Sequence, residues 1–233
     1  MAGERIIAIE TSSRQGSVAL GVGDDLVDTA TLSADMRHAR ELLPALDELF
    51  HRHGWTPDRI DHCYLSVGPG SFTGLRVGVT FARHLALATG ARLCAIPTLD
   101  VIAANAADLP DRPSNLAVVL DAKRGQVFAA TYSATTSGYR RVRDADLCDP
   151  AALFAVVPRP LAVMGEGVDY HRGVIEAASV MVLSPSTWVP QASKVFALGR
   201  IQAQCSAFTE PRELIPEYIR RPEAEELWEK RHR

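Results

Sequence analysis

Arg5-Ile-Ile-Ala-Ile-Glu10, the polar turn Thr11-Ser-Ser-Arg-Gln-Gly16 and the returning run Ser17-Val-Ala-Leu-Gly-Val22 decide the fold. The first piece is short, continuously apolar and rich in β-branched residues, the pattern of a strand buried on both faces. With the second run it makes a hairpin, and Asp24-Asp25 turns the chain into a third strand from Leu26 to Leu32. The order recurs in the second half: Ala117-Val-Val-Leu-Asp121, the turn Asp121-Ala-Lys-Arg-Gly125, the strand Gln126-Val-Phe-Ala-Ala-Thr-Tyr132 and a third strand from Gly138 to Val142. Each copy is an apolar strand ending in an acid, a polar turn, a glycine and a return. An internal duplication of a βββα unit explains both copies; chance likeness of two hairpins is the alternative.

Between the copies, Met36 to His53 has helical spacing, with Met36, Ala39, Leu42, Leu43, Leu46, Leu49 and Phe50 on one face. Pro44 lacks an N–H and crowds the preceding turn, so a kink or restart is expected there. Gly54 is a C-terminal stop. His62 to Val67 reads as a strand, Phe72 to Thr89 as a helix ended by Gly90, Leu93 to Ile96 as a strand and Thr98 to Ala107 as a helix. The linker Asp108-Leu-Pro-Asp-Arg-Pro-Ser114 separates two expected lobes, residues 1–107 and 115–233. The last helix, about 190–207, is a candidate to pack back on the first lobe.

Composition excludes several classes. Apolar residues make up 47% and charged residues 23% of the chain, so a packed core is expected rather than disorder. A net charge of -3 provides no basic footprint for binding nucleic acid alone. No apolar run reaches membrane-spanning length and the N-terminus is not a signal peptide. Cys63, Cys94, Cys148 and Cys205 form no CxxC pair and read as free thiols, mostly buried, in a reducing cytoplasm. Neither HExxH nor HxxxH occurs, so no metal site is expected. No serine stands in a nucleophile elbow, and no catalytic residue is assigned. The charged tail from Pro222 to Arg233, with Trp228 inside it, reads as a solvated end.

Two lobes that each open with a strand–acid–turn–strand hairpin resemble the actin-like ATPase (ASKHA, RNase H-like) α/β fold of the sugar kinases and actin. In that superfamily the two turns hold nucleotide phosphates across a cleft, and acids at the strand ends handle Mg²⁺ or an attacking water. The cleft candidates here are therefore Glu10, Thr11, Ser12, Asp121 and Arg124. Phosphate loops of that kind place glycine directly after the acid, whereas Thr11 and Ala122 stand there. Gly165-Glu-Gly167 is a partial echo of the adenosine loop.

Gly68-Pro-Gly-Ser-Phe-Thr-Gly-Leu-Arg-Val-Gly78 joins a strand to a helix. Glycines at 68 and 70 and the fixed φ of Pro69 make a sharp turn, and Ser71 or Thr73 can cap the helix. The spacing is neither a dinucleotide fingerprint nor a P-loop, so a structural turn is preferred to a phosphate cradle. Behind it, Gly74, Gly78, Ala82 and Ala86 form a ridge of small side chains, with Val77, Phe81, Leu85 and Ala88 on a second stripe. Glycine costs a helix about 1 kcal/mol against alanine, which close packing must offset. A helix apolar on two faces covers its sheet with one and meets another helix or another chain with the other.

These strings resemble the TsaB (YeaZ) family. The matching pieces are Ile6-Ile-Ala-Ile-Glu-Thr-Ser-Ser13, Gly16-Ser-Val-Ala-Leu20, His38-Ala-Arg-Glu-Leu-Leu-Pro44, the highly specific Gly68–Gly78 segment, Pro97-Thr-Leu99, Asp121-Ala-Lys-Arg-Gly-Gln-Val127 and Pro216-Glu-Tyr-Ile-Arg220. They run in family order over nearly the whole chain, and Gly68, Pro69, Gly70, Ser71, Phe72 and Thr73 make up the motif loop. The resemblance implies a role in forming N6-threonylcarbamoyladenosine in tRNA. It also implies a heterodimer with the paralogous transferase TsaD, which lacks a counterpart here for its metal-binding HxxxH, together with the ATPase TsaE. Under it the chain is a non-catalytic scaffold without a cofactor of its own: ATP or ADP and metal belong to the partner subunits, and tRNA is met only within the complex. The helices carrying His38 to Pro44 and Leu75 to Leu87 correspond to the surface that meets TsaD, or a second copy in a homodimer. The interface candidates are His38, Leu42, Leu43, Gly74, Arg76, Gly78, Phe81 and Ala82. Glu10 stands where the family more often has aspartate. An autonomous ATPase, kinase or peptidase of the same fold, built on Glu10 and Asp121, is the alternative.

Overall fold

A computed structural model describes residues 3–33, 35 and 37–219; the tail from Pro222 to Arg233 and Met36 lie outside the described residues. The first five strands are β1 (Arg5–Glu10), β2 (Ser17–Val22), β3 (Asp25–Thr31), β4 (His62–Gly68) and β5 (Arg92–Pro97), and they form one sheet in the order β3-β2-β1-β4-β5. The second sheet is β6 (Asn115–Asp121), β7 (Val127–Thr135), β8 (Gly138–Cys148), β9 (Leu161–Met164) and β10 (Met181–Val182), in the order β10-β9-β6-β7-β8. In both sheets the opening strand is central. It is antiparallel to the hairpin partner and parallel to the strand on its other side. The same layout twice is the duplicated actin-like architecture.

The continuous apolar runs follow from burial of both sheet faces. Ile7 and Ile9 of β1 face α1 (His38–His53) and α2 (Phe72–Thr89), packing with Leu42, Leu46, Leu49, Val79 and Ala82. Ile6 and Ala8 point the other way, to Tyr64, Cys94 and the residues Ala192, Val195 and Phe196 of α7 (Ala192–Gln204). In return α3 (Thr98–Ala106) covers the second sheet, where Leu99, Ile102, Ala103 and Ala106 join Leu116, Val118, Leu153 and Phe154 in one core. Each lobe therefore lends a helix to the other. The remaining helices, α4 (Pro150–Val156), α5 (Gly167–Tyr170) and α6 (Arg172–Ala177), belong to the second lobe.

The expected restart at Pro44 is corrected: α1 runs unbroken from His38 to His53. Arg40, whose carbonyl loses its i→i−4 donor to the proline, and Pro44 itself are exposed, so water can take the freed acceptor. Gly54 and Gly90 end their helices in the left-handed region, at φ 62 and φ 80. The four cysteines are free, and burial pushes the Cys63 and Cys94 thiols up to about 12, leaving them unreactive. Cys205 is exposed, not buried. Among the described residues no helix is long and apolar enough to cross a membrane.

Two glycines let α7 settle on the sheet. A Cβ on Gly21 would stand 2.1 Å from the Phe196 ring, and one on Gly199 would stand 2.3 Å from the Tyr64 ring. Beside them, His62 Nδ1 is 2.8 Å from Tyr64 Oη and His62 Nε2 is 2.7 Å from Arg92 Nη2. A guanidinium only donates, so Nε2 accepts and the ring proton sits on Nδ1. Burial holds the His62 pKa below its ordinary value, with Arg92 and Arg200 working in the same direction against Glu4 and Asp61.

Two outcomes follow. Gly199→Val should cost about 1–3 kcal/mol in urea unfolding by overpacking against Tyr64. Because the unfolded chain takes up the His62 proton first, stability should fall as pH drops below about 6.5. Thermal unfolding should register a smaller fall for His62→Gln than for the wild type.

Candidate functional site

The chain leaves β4 at Gly68, whose φ is 124, and enters α2 through Pro69, Gly70 and Ser71. Ser71 is the cap, its Oγ accepting from the Gly74 N–H at 3.2 Å; Thr73 is exposed. This loop lies on the first hairpin turn. The Ser71 N–H donates to the Ser12 carbonyl at 2.7 Å, and Thr11 Oγ1 donates to the Gly74 carbonyl at 2.9 Å. A Cβ on Gly70 would be 2.3 Å from Ser12 O, one on Gly74 1.9 Å from Thr11 O, and one on Gly78 2.7 Å from Thr11 Oγ1. The small-residue edge of α2 therefore seats on this chain's own turn.

That corrects part of the interface expectation. Gly74, Gly78 and Ala82 are buried against the turn and the sheet, and Leu42 is buried in the α1–α2 core. His38 is also internal. Its Nε2 lies 2.8 Å from the Ser13 carbonyl, and the imidazole fills space left open by two glycines, since a Cβ on Gly16 would be 2.9 Å from Nδ1 and one on Gly74 3.2 Å from Cδ2. Leu43 and Arg76 are exposed and Phe81 half-buried, so these three remain on the outer face. Leu87 on α2 is 72% exposed, Leu43 on α1 60% and Phe72 45%.

The cleft candidates divide in the same way. Glu10, Thr11 and Ser12 are buried beneath the loop, so they do not line an open cleft; Gly74 and Gly78 of α2 lie against Thr11 instead. Burial pushes the Glu10 carboxyl up, against hydrogen bonds from Ser12, the nearby Ser66 hydroxyl and the field of His38. Asp121, its counterpart, behaves oppositely. Burial alone would raise its pKa, but Lys123 outweighs this and holds the carboxyl below the ordinary range. Lys123 Nζ is 2.8 Å from Asp121 Oδ2, and His171 Nε2 is 3.4 Å from Asp121 Oδ1. Lys123, Arg124 and Gly125 all have positive φ, at 64, 57 and 74, and Lys123 and Arg124 are exposed at the tip. Gly165 approaches the end of β6, where a Cβ would be 2.3 Å from Val119 O.

A groove of about 390 Å³ runs beside the first turn, lined by Gln15, Gly16, Ser17, Thr29 and Thr31 and, opposite, by Ser186, Val189, Pro190, Gln191, Ala192 and Ser193. None of these side chains is charged, so the lining supplies no cation to a phosphate. Among the described residues no cluster of three or more His, Cys, Asp or Glu is placed to hold a metal ion.

Sequence reasoning missed the strap after α7. The Thr209 N–H donates to the Leu93 carbonyl at 2.8 Å, Leu214 is buried in the core under α1 and α2, and the Glu217 N–H donates to the Val67 carbonyl at 2.7 Å. Tyr218 then meets Phe72 with ring centroids 5.3 Å apart, and the Arg76 guanidinium lies 4.0 Å over Phe72. The Gly68–Gly78 string thus meets Glu217 and Tyr218 of the Pro216–Arg220 string in space, with Arg220 outside the described residues; each string was visible, but their pairing spans most of the chain. Gly74→Ala should destabilise the fold by about 1–3 kcal/mol, because a backbone carbonyl must give way. Thr11→Val should cost about 1 kcal/mol for the lost hydroxyl bond. Chemical denaturation of both variants checks this.

The comparisons agree with this architecture. The family model for TsaD, tRNA N6-adenosine threonylcarbamoyltransferase, matches residues 32–228. The tRNA threonylcarbamoyladenosine biosynthesis protein TsaB of Bacillus subtilis is 26% identical over 229 residues, covering 96% of this chain and 97% of that one. TsaB of Escherichia coli is 30% identical over 134 residues, 58% of this chain and 57% of its own. YeaZ from Pseudomonas aeruginosa has the same fold, with a TM-score of 0.79 at 22% identity over 92% of this chain and 100% of that chain. With the motif loop, the duplicated sheets and these matches in hand, the chain belongs to the tRNA N6-adenosine threonylcarbamoyltransferase family and, within it, to the TsaB (YeaZ) proteins.

Proposed function

We propose that the chain is a non-catalytic partner subunit of the complex that forms N6-threonylcarbamoyladenosine in tRNA, binding and supporting a TsaD-type transferase in the cytoplasm with the ATPase TsaE. The observation that carries this reading is the sealed first turn: the Ser12 carbonyl accepts from the loop's Ser71 N–H, the Thr11 hydroxyl donates to the Gly74 carbonyl, and Gly70 and Gly74 lie against both carbonyls, so this turn is not an open cradle for phosphates. The outer face of α1 and α2, with Leu43, Arg76, Phe81 and Leu87, is the surface offered to the partner. Two copies of the chain pair through the same face when the transferase is absent. ATP, metal and tRNA are handled in the partner subunits or at the assembled complex.

The rival reading, an autonomous ATPase or peptidase, draws on Asp121, which stays ionised beside His171. Calorimetry with Mg-ATP separates the two: the isolated chain should give no binding heat, and tight binding would defeat the scaffold reading. Mixed with a TsaD-type subunit, the wild type should form a heterodimer in analytical ultracentrifugation. Leu43→Glu and Leu87→Glu should each weaken it by about tenfold or more, since a charge in a desolvated contact is costly. Unchanged association in both variants would place the interface elsewhere. Deleting the gene should remove threonylcarbamoyladenosine from bulk tRNA digests.

A further inference from the structure

Glu10 is 0% exposed. Its Oε1 accepts from the Ser12 N–H and from Ser12 Oγ, each at 2.5 Å. Its Oε2 has no hydrogen-bond partner, and neither does the buried Ser66 Oγ. The two are neighbours: β1 and β4 run parallel with Ile9 beside Leu65, so Glu10 and Ser66 come next along the pair. Ser66 stands close enough to act on the carboxyl without meeting hydrogen-bond geometry. From α1 the facing titratable group is His38, whose field reaches Glu10. His38 Nε2 is engaged with the Ser13 carbonyl and its Nδ1 has no partner. From the α2 side the turn is met by Gly70 and Gly74, which bring no charge.

An ionised carboxylate only accepts, and the groups beside it, Ser12 and the Ser66 hydroxyl, are neutral, so a full buried charge would have no paired cation. A carboxyl sealed away from water without a paired cation takes up a proton instead. The neutral acid then has an O–H to donate, and Ser66 Oγ has lone pairs to receive it. We propose that Glu10 stands as a neutral carboxylic acid in the folded protein near neutral pH and that its Oε2–H donates to Ser66 Oγ, one proton pinning the turn on which α2 rests. The neutral acid pairs the two atoms without leaving a charge buried between them.

The sign of the pH effect follows. The folded state keeps this proton above the pH at which an unfolded glutamate, near about 4.3, has lost it. Stability from Glu10 is therefore full below that pH and declines as pH rises towards the folded pKa. Glu10→Gln carries a non-titrating N–H donor in the same place and lacks the decline. Urea unfolding of both proteins from about pH 5 to about pH 8 should show the folding constant of the wild type, relative to Glu10→Gln, falling by up to about tenfold per pH unit. Independently of that variant, infrared spectra of wild type carrying isotope-labelled glutamate should contain a protonated carboxyl band at neutral pH. Ser66→Ala, which removes the acceptor, should shift that band. A ratio flat across the range, or carboxylate bands alone at neutral pH, overturns the proposal.

Discussion

The position of α2 is set by backbone meeting backbone. The carbonyls of Thr11 and Ser12 occupy the points where side chains on Gly74 and Gly70 would stand, and the Thr11 hydroxyl and the Ser71 N–H tie the two segments together. Such a contact has little slack, because neither side has a rotamer to change. Other placements depend on it. The outer face of α2 takes its orientation from the seated inner edge, Phe72 is held at the start of the helix for Tyr218 to stack on, and the imidazole of His38 is enclosed between two glycines. The contact that seats the helix also closes the first turn. The closed turn and the α1–α2 face therefore have a common origin.

The two acids show what duplication does and does not preserve. Glu10 and Asp121 end equivalent central strands, yet one is pushed towards neutrality and the other held ionised. The difference lies in what covers each turn. A long helix with glycines at its start lies on the first. The second is bordered by the short α5 and by exposed Lys123, whose ammonium reaches the carboxylate. Topology is copied with the strands; electrostatics is decided by the cover.

What was legible in the sequence was local. Strand runs, hairpin turns, glycine caps and the repeat of acid, turn and glycine can be read because each occupies a few consecutive residues with a defined period. The interior role of Gly74 and Gly78 was not legible. A helix with two apolar stripes does not say which stripe meets the sheet, and the stripe of small residues turned inward. His38 stands among the interface candidates because the two glycines that enclose it, Gly16 and Gly74, are distant in sequence. Pro44 did not break α1, since its consequence falls on the solvent side. The strap joining Leu93 to Thr209 and Val67 to Glu217 rests on pairings that no periodicity encodes.

The exchange of α3 and α7 has a consequence for how the chain comes into being. The first sheet leaves the ribosome with α1 and α2 ready for one face, but the other face, with Ile6, Ala8 and Tyr64, is covered only when Ala192 onward has been made. Until then an apolar layer stays open to water, while α3 waits for a second sheet not yet synthesised. The core of the first lobe is complete only once α7 exists, and a chain lacking it leaves the apolar face of Ile6, Ala8 and Tyr64 uncovered.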